Sequence, residues 1–590
     1  MATSPFDRVA ATVRDVRRAR RVLAVLLRYG FGDLLARLPL EGPLALGARA
    51  LQRSPRRPIS RLSRAERTRR ALEELGPVYV KLGQYLAGRP DIVPPDWVAE
   101  LGRLRDEVAP MPFEVARAVI ESQLGRPLDK VFARFDREPV AAASIAQVHH
   151  AVLADGQAGP PSAAPAGSPR AAPARRARRP RPVAVAVKVQ RPDTETTVPA
   201  DLAMLRHLAS LAAGRVVPED VLDPVAVVDE LGRLLARETD FRHELRTLQR
   251  FAAHFESDPA VKIPRAYPAL STEKLLTMEF VVGERQSSPK VLAARGLDPK
   301  RLARVEVDAF LRMVLEFGLF HADPHGGNLL FCRGNVVAFL DYGEVGRLDA
   351  ALRGQLLDLV VAVGQRDEAR VADIVLRVGQ RIGPTDRRRL QDDIADFVDD
   401  YAGLPLKSVR VSALSADFFE ILRRNHIRFP TDLIVLLRAL VTLEGQGQQL
   451  DPEFDLMAEL HEPLSRLVRE RASPLERVRR ALAVGGQYRA LLGELPGTLR
   501  RVLGLIESRD LEVRLSHVGL EGLVREVDRA SNRIAFGLVV AALIVGSAIV
   551  ANLSRGPAIW GYPAIGVVSF LLAALLGLWL VVSILRSGKL

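Results

Sequence analysis

HADPHGGN, His321 to Asn328, followed after a short apolar run by FLDYG, Phe339 to Gly343, is the stretch that decides how this chain is read. It sets a carboxylate at Asp323, an amide five residues on at Asn328, and a second carboxylate at Asp341. Hard oxygen donors in such small number suit magnesium, which binds through one or two carboxylates together with substrate phosphates. Phosphoryl transfer asks for that set: a carboxylate near the attacking oxygen, an amide and a carboxylate on the metal, and a lysine on the phosphates.

Asp323 and Asn328 stand at the spacing of the protein-kinase loop H-R-D-x-x-x-x-N, and DYG resembles D-F-G. Reading HADPH as a cluster of metal-ligating histidines leaves Asn328 and Asp341 unexplained. His321 is expected to pack the loop. His325 occupies a place where protein kinases often carry lysine, so it either reaches the terminal phosphate or bonds within its own loop.

The lysine is supplied by VAVAVKV, Val183 to Val189, where Lys188 resembles the V-A-I-K strand lysine that meets the α- and β-phosphates. A lysine ending a buried strand needs a partner. Glu238, Asp240 and Glu244 of ARETDFRHEL are the candidates, with Glu244 preferred. No G-x-G-x-x-G precedes Lys188. AAASIAQVHHA, Ala141 to Ala151, stands there instead, and each alanine methyl narrows the backbone freedom that a glycine loop uses to approach phosphates.

Working outward, Ile145–Leu153 and Val183–Val189 predict an antiparallel pair, split by the Pro-, Ala- and Arg-rich residues 155–182, which are expected to be disordered. Helical spacing runs over Asp201–Ala213 and Val225–Phe255. Strand-like segments follow at Leu275–Phe280, Leu329–Cys332 and Val336–Leu340 in an otherwise helical remainder. The expected fold is α+β, a protein-kinase-like pair of lobes with a helical N-terminal extension and a C-terminal transmembrane hairpin. Its parts are a basic amphipathic region (1–70), a helical extension (71–130), a small mixed lobe (131–283), a helical lobe (284–470), a helical linker (471–530) and two membrane helices (531–590).

The hairpin rests on two charge-free runs, Ile534–Leu553 and Ile565–Leu585, each long enough as a helix to cross about 30 Å of hydrocarbon. Arg529, Arg533, Arg586 and Lys589 flank the outer ends, which places those ends and the kinase-like part in the cytoplasm, with the chain anchored in the inner membrane. Ser569, Ala573 and Gly577 recur every fourth position and allow close helix contact.

The chain has 590 residues, 48% hydrophobic and 26% charged, enough for a large core. Its one cysteine, Cys332, excludes an intramolecular disulfide framework. The net charge of +14 is concentrated in residues 1–70 and 155–182. The N-terminal arginines fit either a membrane surface rich in anionic headgroups or a charged helix packed on its own body. No stacking aromatics interleave with them, so nucleic acid is not expected as a partner.

AAASIAQVH, VKLGQYLAGRPDIVPP (Val80 to Pro95), ETDF (from Glu238), TMEFVVG (from Thr277) and HADPHGGN together resemble the UbiB-like atypical kinases, over about Gly76 to Asp455. That resemblance implies a kinase-like fold whose KxGQ motif, Lys81, Gly83 and Gln84, folds over the site where a peptide would bind, with Lys81 engaging Glu238 and Asp240. It assigns Ala141, Ala142, Ala143, Ser144, Glu279 and Val281 to ATP or ADP, with Mg2+ on Asn328 and Asp341. It further implies support of ubiquinone or other prenyl-lipid biosynthesis by an ATPase at the membrane, with membrane lipids, quinone or prenyl precursors and lipid-biosynthetic enzymes as partners. The departures are Gly326 where proline is usual, DYG for the commoner DFG, and the long insert. Two other functions compete: a membrane Ser/Thr protein kinase, and a nucleotide-binding scaffold. Against the protein kinase, Asp341 to Pro384 holds no Ser, no Thr and no A-P-E.

Overall fold

The computed structural model describes residues 18–36, 62–104, 108–154, 182–214, 223–383, 385–402, 409–472 and, discontinuously, residues between 531 and 586. The expectations for residues 1–17, for the insert at 155–181 and for the linker at 473–530 lie outside the described residues. The chain divides into two units, Met1–Arg477 and Val478–Leu590.

In the first unit, residues 18–28 form a helix that docks on the body through buried Val22, Leu23 and Val25. Arg18 Nε donates to the fully buried Asp201 at 2.6 Å. The basic segment, as far as it is described, is therefore a charged helix packed on its own chain. Two helices follow, α1 (Arg64–Leu75) and α2 (Pro77–Ala87). Gly76 separates them at φ 108°, a conformation that favours glycine, and Pro77 opens α2 with its fixed φ. Then come α3 (Phe113–Leu124) and four strands, β1 (Phe132–Phe135), β2 (Ala141–Ala142), β3 (Ala146–Leu153) and β4 (Ala184–Gln190).

After β4 the chain turns helical in α4 (Thr194–Ala212), α5 (Pro224–Glu238) and α6 (Phe241–His254). The sequence pattern joined the last two into one run. Asp240 breaks it: extended at φ −112°, its carboxylate accepts the Arg242 N–H and caps α6. Strands β5 (Val261–Lys262) and β6 (Leu275–Glu279) follow, and β6 completes an antiparallel sheet of order β1-β3-β4-β6, with β2 paired to β3. The register sets Lys188 opposite Val148 on one side and Leu276 on the other. A core of Phe132, Val187 and Leu275 lies under α3, and a second core joins α1, α2, α4 and α5 through Leu72, Val78, Leu205 and Leu231.

The larger lobe begins with α7 (Pro299–Arg312) and the short strands β7 (Leu319–His321), β8 (Leu329–Cys332), β9 (Val336–Phe339) and β10 (Val345–Arg347). β8 and β9, expected as strand-like segments, pair as an antiparallel hairpin, while the β7–β10 pair was not read from the sequence because each strand has only three residues. The rest of the lobe is α8 (Ala350–Gly364), α9 (Glu368–Val378), α10 (Arg387–Ala402), α11 (Val411–Arg424), α12 (Thr431–Leu450) and α13 (Leu456–Ala472). Its core runs from Phe310 and Phe320 to Leu422 and Leu443.

The second unit contains α14 (Ala564–Arg586) and helical residues at 537–546. Among the described residues no helix is long and apolar enough to cross a membrane, so the expected pair of transmembrane helices is not supported by the fold as described.

Candidate functional site

Lys188 leaves the middle of the sheet and meets Glu244 of α6 through both carboxylate oxygens, at 2.9 and 2.8 Å. Asp341 Oδ1 lies 3.5 Å from the same ammonium. Of the three candidate acids it is thus Glu244 that pairs with the strand lysine. Burial pulls the Lys188 ammonium down, but the Asp341 and Glu244 carboxylates outweigh it and hold its pKa above the ordinary value. Lys188 in turn holds Asp341 well below the usual carboxylate range against burial, with the Gly343 N–H helping. Burial pushes the Glu244 carboxyl the other way, up, with Lys188 opposing it.

Asp341 sits in the left-handed region at φ 55°, a conformation that Asp tolerates better than most residues. Tyr342 fixes the turn. It is buried, its ring lies 5.1 Å from Phe251 of α6, and its hydroxyl donates to the Phe339 carbonyl at 2.9 Å. The tyrosine of DYG therefore adds a hydrogen bond that phenylalanine lacks.

The loop after β7 is held from within. His321 Nε2 lies 2.8 Å from the Leu340 carbonyl while Nδ1 accepts the Asp323 N–H at 3.3 Å, so the ring packs the loop, as expected. The Asn328 amide nitrogen donates to the Asp323 carbonyl at 3.0 Å, which leaves its oxygen for a cation. His325 accepts the Gly327 N–H at 2.9 Å and stands 3.7 Å from the Asp323 carboxylate, a loop role rather than a free reach. Gly326 replaces proline where space is short: a Cβ there would lie 2.0 Å from the Gln286 side chain.

The alanine loop is partly strand. Ala141 and Ala142 pair with Val148 and Gln147, and Ala143 turns back on Ala146 at 2.8 Å. Arg191, which sequence reasoning missed, donates to the Ala143 carbonyl at 3.0 Å and to the Ala109 carbonyl at 2.6 Å. Ser144 is buried and its hydroxyl has no partner. It borders a cleft of about 70 Å3, with Pro77, Val78, Lys81 and Leu235 on the other walls. At the far edge of the sheet Glu279 accepts the Arg265 N–H at 3.1 Å and pairs with Lys262 at 2.8 Å, and Val281 lies in the connection beyond β6.

Lys81 of α2 donates to Glu238 at 2.9 Å and stands 3.7 Å from Glu344, the residue after DYG. Burial pushes the Glu238 carboxyl up to about 7, Lys81 opposing and Glu344 adding to it. Asp240 caps α6 and binds the Arg242 guanidinium at 2.8 and 2.9 Å. Gln84 donates to the Leu104 carbonyl at 3.3 Å, fastening α2 to the chain that follows. Glu344 and Arg438, 3.7 Å apart, also escaped the sequence reading, since an acid after DYG and an arginine inside a long helix carry no local signal.

Asp341 and Asp323 remain half and two-fifths exposed, the unpartnered Ser144 hydroxyl lies in the alanine loop, and the free amide oxygen of Asn328 completes a hard-oxygen set that fits magnesium with a nucleotide. No group of three or more His, Cys, Asp or Glu among the described residues could hold a metal by itself.

A strand lysine paired to a helix glutamate, next to an Asp/Asn loop and an Asp-Tyr-Gly turn, defines a kinase-like phosphotransferase fold. The chain belongs to the ABC1/UbiB atypical kinase family. Models of the ABC1 atypical kinase-like domain match residues 103–158 and 165–375, the UbiB helical domain 394–455, and the ABC1/UbiB kinase-like C-terminal domain 518–586. A probable protein kinase UbiB of Xanthomonas campestris pv. campestris (strain B100) is 32% identical over 92% of this chain and 94% of its own length. An uncharacterized protein in the hydrogenase 1 5' region of Clostridium pasteurianum is 28% identical over 98% and 100%. A solved structure, the Rv3197–erythromycin complex of Mycobacterium tuberculosis, is 20% identical, with a TM-score of 0.43 over 66% of this chain and 93% of that one.

Proposed function

We propose that this protein is a membrane-anchored atypical kinase that hydrolyses ATP with Mg2+ in support of ubiquinone or other prenyl-lipid biosynthesis. The observation that carries the reading is the Lys188–Glu244–Asp341 cluster beside the loop of Asp323 and Asn328. Lys188 orients and neutralises phosphates, Asp323 orients the attacking water and takes its proton, and Asn328 with Asp341 would hold the cation that neutralises charge on the transferring group. Sequence relatives named as probable protein kinase UbiB support the quinone pathway.

Anchoring is supported by exposed apolar side chains: Leu538, Leu575 and Leu578 are 67%, 68% and 66% exposed. Large apolar surfaces of this kind mark an interaction with lipid or protein. Within the same unit Ala573 is fully buried, and a Cβ on Gly577 would lie 3.5 Å from Val540, the contact expected of the small-residue stripe. The kinase-like part would face the cytoplasm. A chain ending at residue 530 is then expected in the soluble fraction, and its retention in washed membranes removes the anchor.

The same geometry counts against a protein kinase. α8 opens at Ala350, soon after Asp341, and β10 is tied to α12 by the Arg347 N–H to Asp432 at 2.9 Å, so no peptide-docking segment fits between them. The test is magnesium-dependent phosphate release by the purified protein in liposomes. Asp341→Asn is expected to lower it about 10²–10³-fold, and release at the wild-type rate would sink the assignment.

A further inference from the structure

One helix of the larger lobe, α12, reaches four parts of the site. Near its start the Asp432 carboxylate accepts the Arg347 N–H at 2.9 Å. Two turns on, Arg438 stands 3.7 Å from Glu344. Near its end the Gln446 amide donates to the Pro324 carbonyl, and Gln449 accepts from Gln286 at 3.1 Å. The contact at Pro324 is of a different kind from the rest. Gln446 is only 5% exposed, whereas the Arg438–Glu344 pair is more than a third exposed on both sides.

Pro324 follows Asp323 directly. Two consecutive carbonyls of the loop are thereby held, that of Asp323 by Asn328 from inside the loop and that of Pro324 by Gln446 from outside it. Proline has no N–H, so its carbonyl is the one backbone handle that this residue offers a helix beneath it. A carbonyl only accepts, so it is the amide nitrogen of Gln446, a donor, that faces it. We infer that Gln446 is a positioning residue: through the Pro324 carbonyl it sets the direction of the neighbouring Asp323 carboxylate. This rests on the phosphoryl-transfer reading given above. Gln446 touches neither Lys188, the alanine loop nor the two residues that would hold the cation, and Asp323 acts on the attacking water, so turnover falls more than affinity.

The experiment uses the full chain in liposomes, with phosphate release from Mg-ATP and the binding of a fluorescent ATP analogue as paired readouts. Gln446→Met keeps the shape and removes the donor. It is expected to lower kcat about ten- to a hundredfold, the cost of a small misplacement of a reacting group, while the dissociation constant of the analogue moves less than about twofold. Gln446→Glu covers the case in which the methionine variant does not fold. Its neutral acid donates to Pro324 and its carboxylate does not, so its kcat relative to wild type rises as the pH falls. A relative kcat that is flat with pH, an unchanged kcat in Gln446→Met, or a parallel loss of kcat and affinity overturns the inference. If the wild type releases no phosphate, the phosphoryl-transfer reading itself fails and takes this role with it.

Discussion

Two lysines each face two carboxylates in this molecule, and the difference between them separates machinery from fastening. Lys188 joins a strand, a helix and a loop of the kinase-like body, and its inner partner Glu244 is 5% exposed. Lys81 comes from the added helix α2 and joins Glu238 to Glu344, which is 37% exposed. In the first cluster Lys188 holds Asp341 ionised, while burial pushes its inner partner Glu244 up. In the second, burial wins at Glu238 and its carboxyl rises to about 7, so that cluster can lose a charge within the physiological range. Each lysine thus holds one carboxyl raised by burial and one lowered, Glu244 and Asp341 in the body, Glu238 and Glu344 at the added helix.

The largest expected effect breaks the first cluster. Lys188→Met leaves the Glu244 carboxylate buried and unpaired, which costs about 3–5 kcal/mol when one partner of a buried pair is removed. Adding Glu244→Gln should return most of that stability in urea unfolding and none of the nucleotide affinity. If the double variant also recovers affinity, the lysine is structural.

Glu306 of α7 sharpens the comparison because it is a buried carboxyl with no lysine at all. Both its oxygens lack partners, and burial pushes it up to about 8. Its folded pKa lies above its unfolded value, so the stability it contributes is complete below about pH 4.5 and is lost as the pH rises towards 8. Glu306→Met should therefore gain on the wild type between pH 5 and 8 by something on the order of 4 kcal/mol. Equal pH slopes for the two proteins would show that Glu306 has a partner in solution.

Breaking the second cluster should cost less. Lys81→Met strands Glu238, but this carboxyl can take up a proton, so the loss is about 1–3 kcal/mol at pH 8 and smaller at pH 6. Lys81→Met with Glu238→Gln should erase the pH dependence. A loss that is larger at pH 6 contradicts the sign.

Much of the site around the first cluster was legible from motifs, Lys188 at the end of an apolar run, Asp323 and Asn328 five apart, Asp341 before Tyr-Gly, whereas Glu244 was one of three candidate acids until the fold set it against Lys188. Most helices and strands followed from hydrophobic periodicity, and even the β3–β4 pair survived a long insertion between its strands. What stayed hidden depends on tertiary placement. Gln446 and Arg438 are ordinary helix residues until the helix is laid under the loop. That Asp240 caps α6 and binds Arg242 shows only once its backbone breaks the helical run. The docking of residues 18–28 turned on Asp201, an acid with no local mark in its helix.

Arg438 gives the smallest effect and the finest test of what fastens α2. Its guanidinium lies 3.7 Å from Glu344 and would lie 3.2 Å from a Cβ on Gly88, just past the end of α2, so it touches both the carboxylate that Lys81 uses and the helix that carries Lys81. Both members of the pair are more than a third exposed, and exposed pairs contribute about 0–1 kcal/mol. Arg438→Met should therefore leave urea unfolding within about 1 kcal/mol of wild type. Its effect should appear locally: with Arg438 gone, Glu344 depends on Lys81 alone, and amide exchange in α2 should become more sensitive to salt, since a part-exposed pair is screened where a buried one is not. Unchanged exchange in α2 at both low and high salt would mean that the Lys81–Glu238 bond holds the helix without help from the larger lobe.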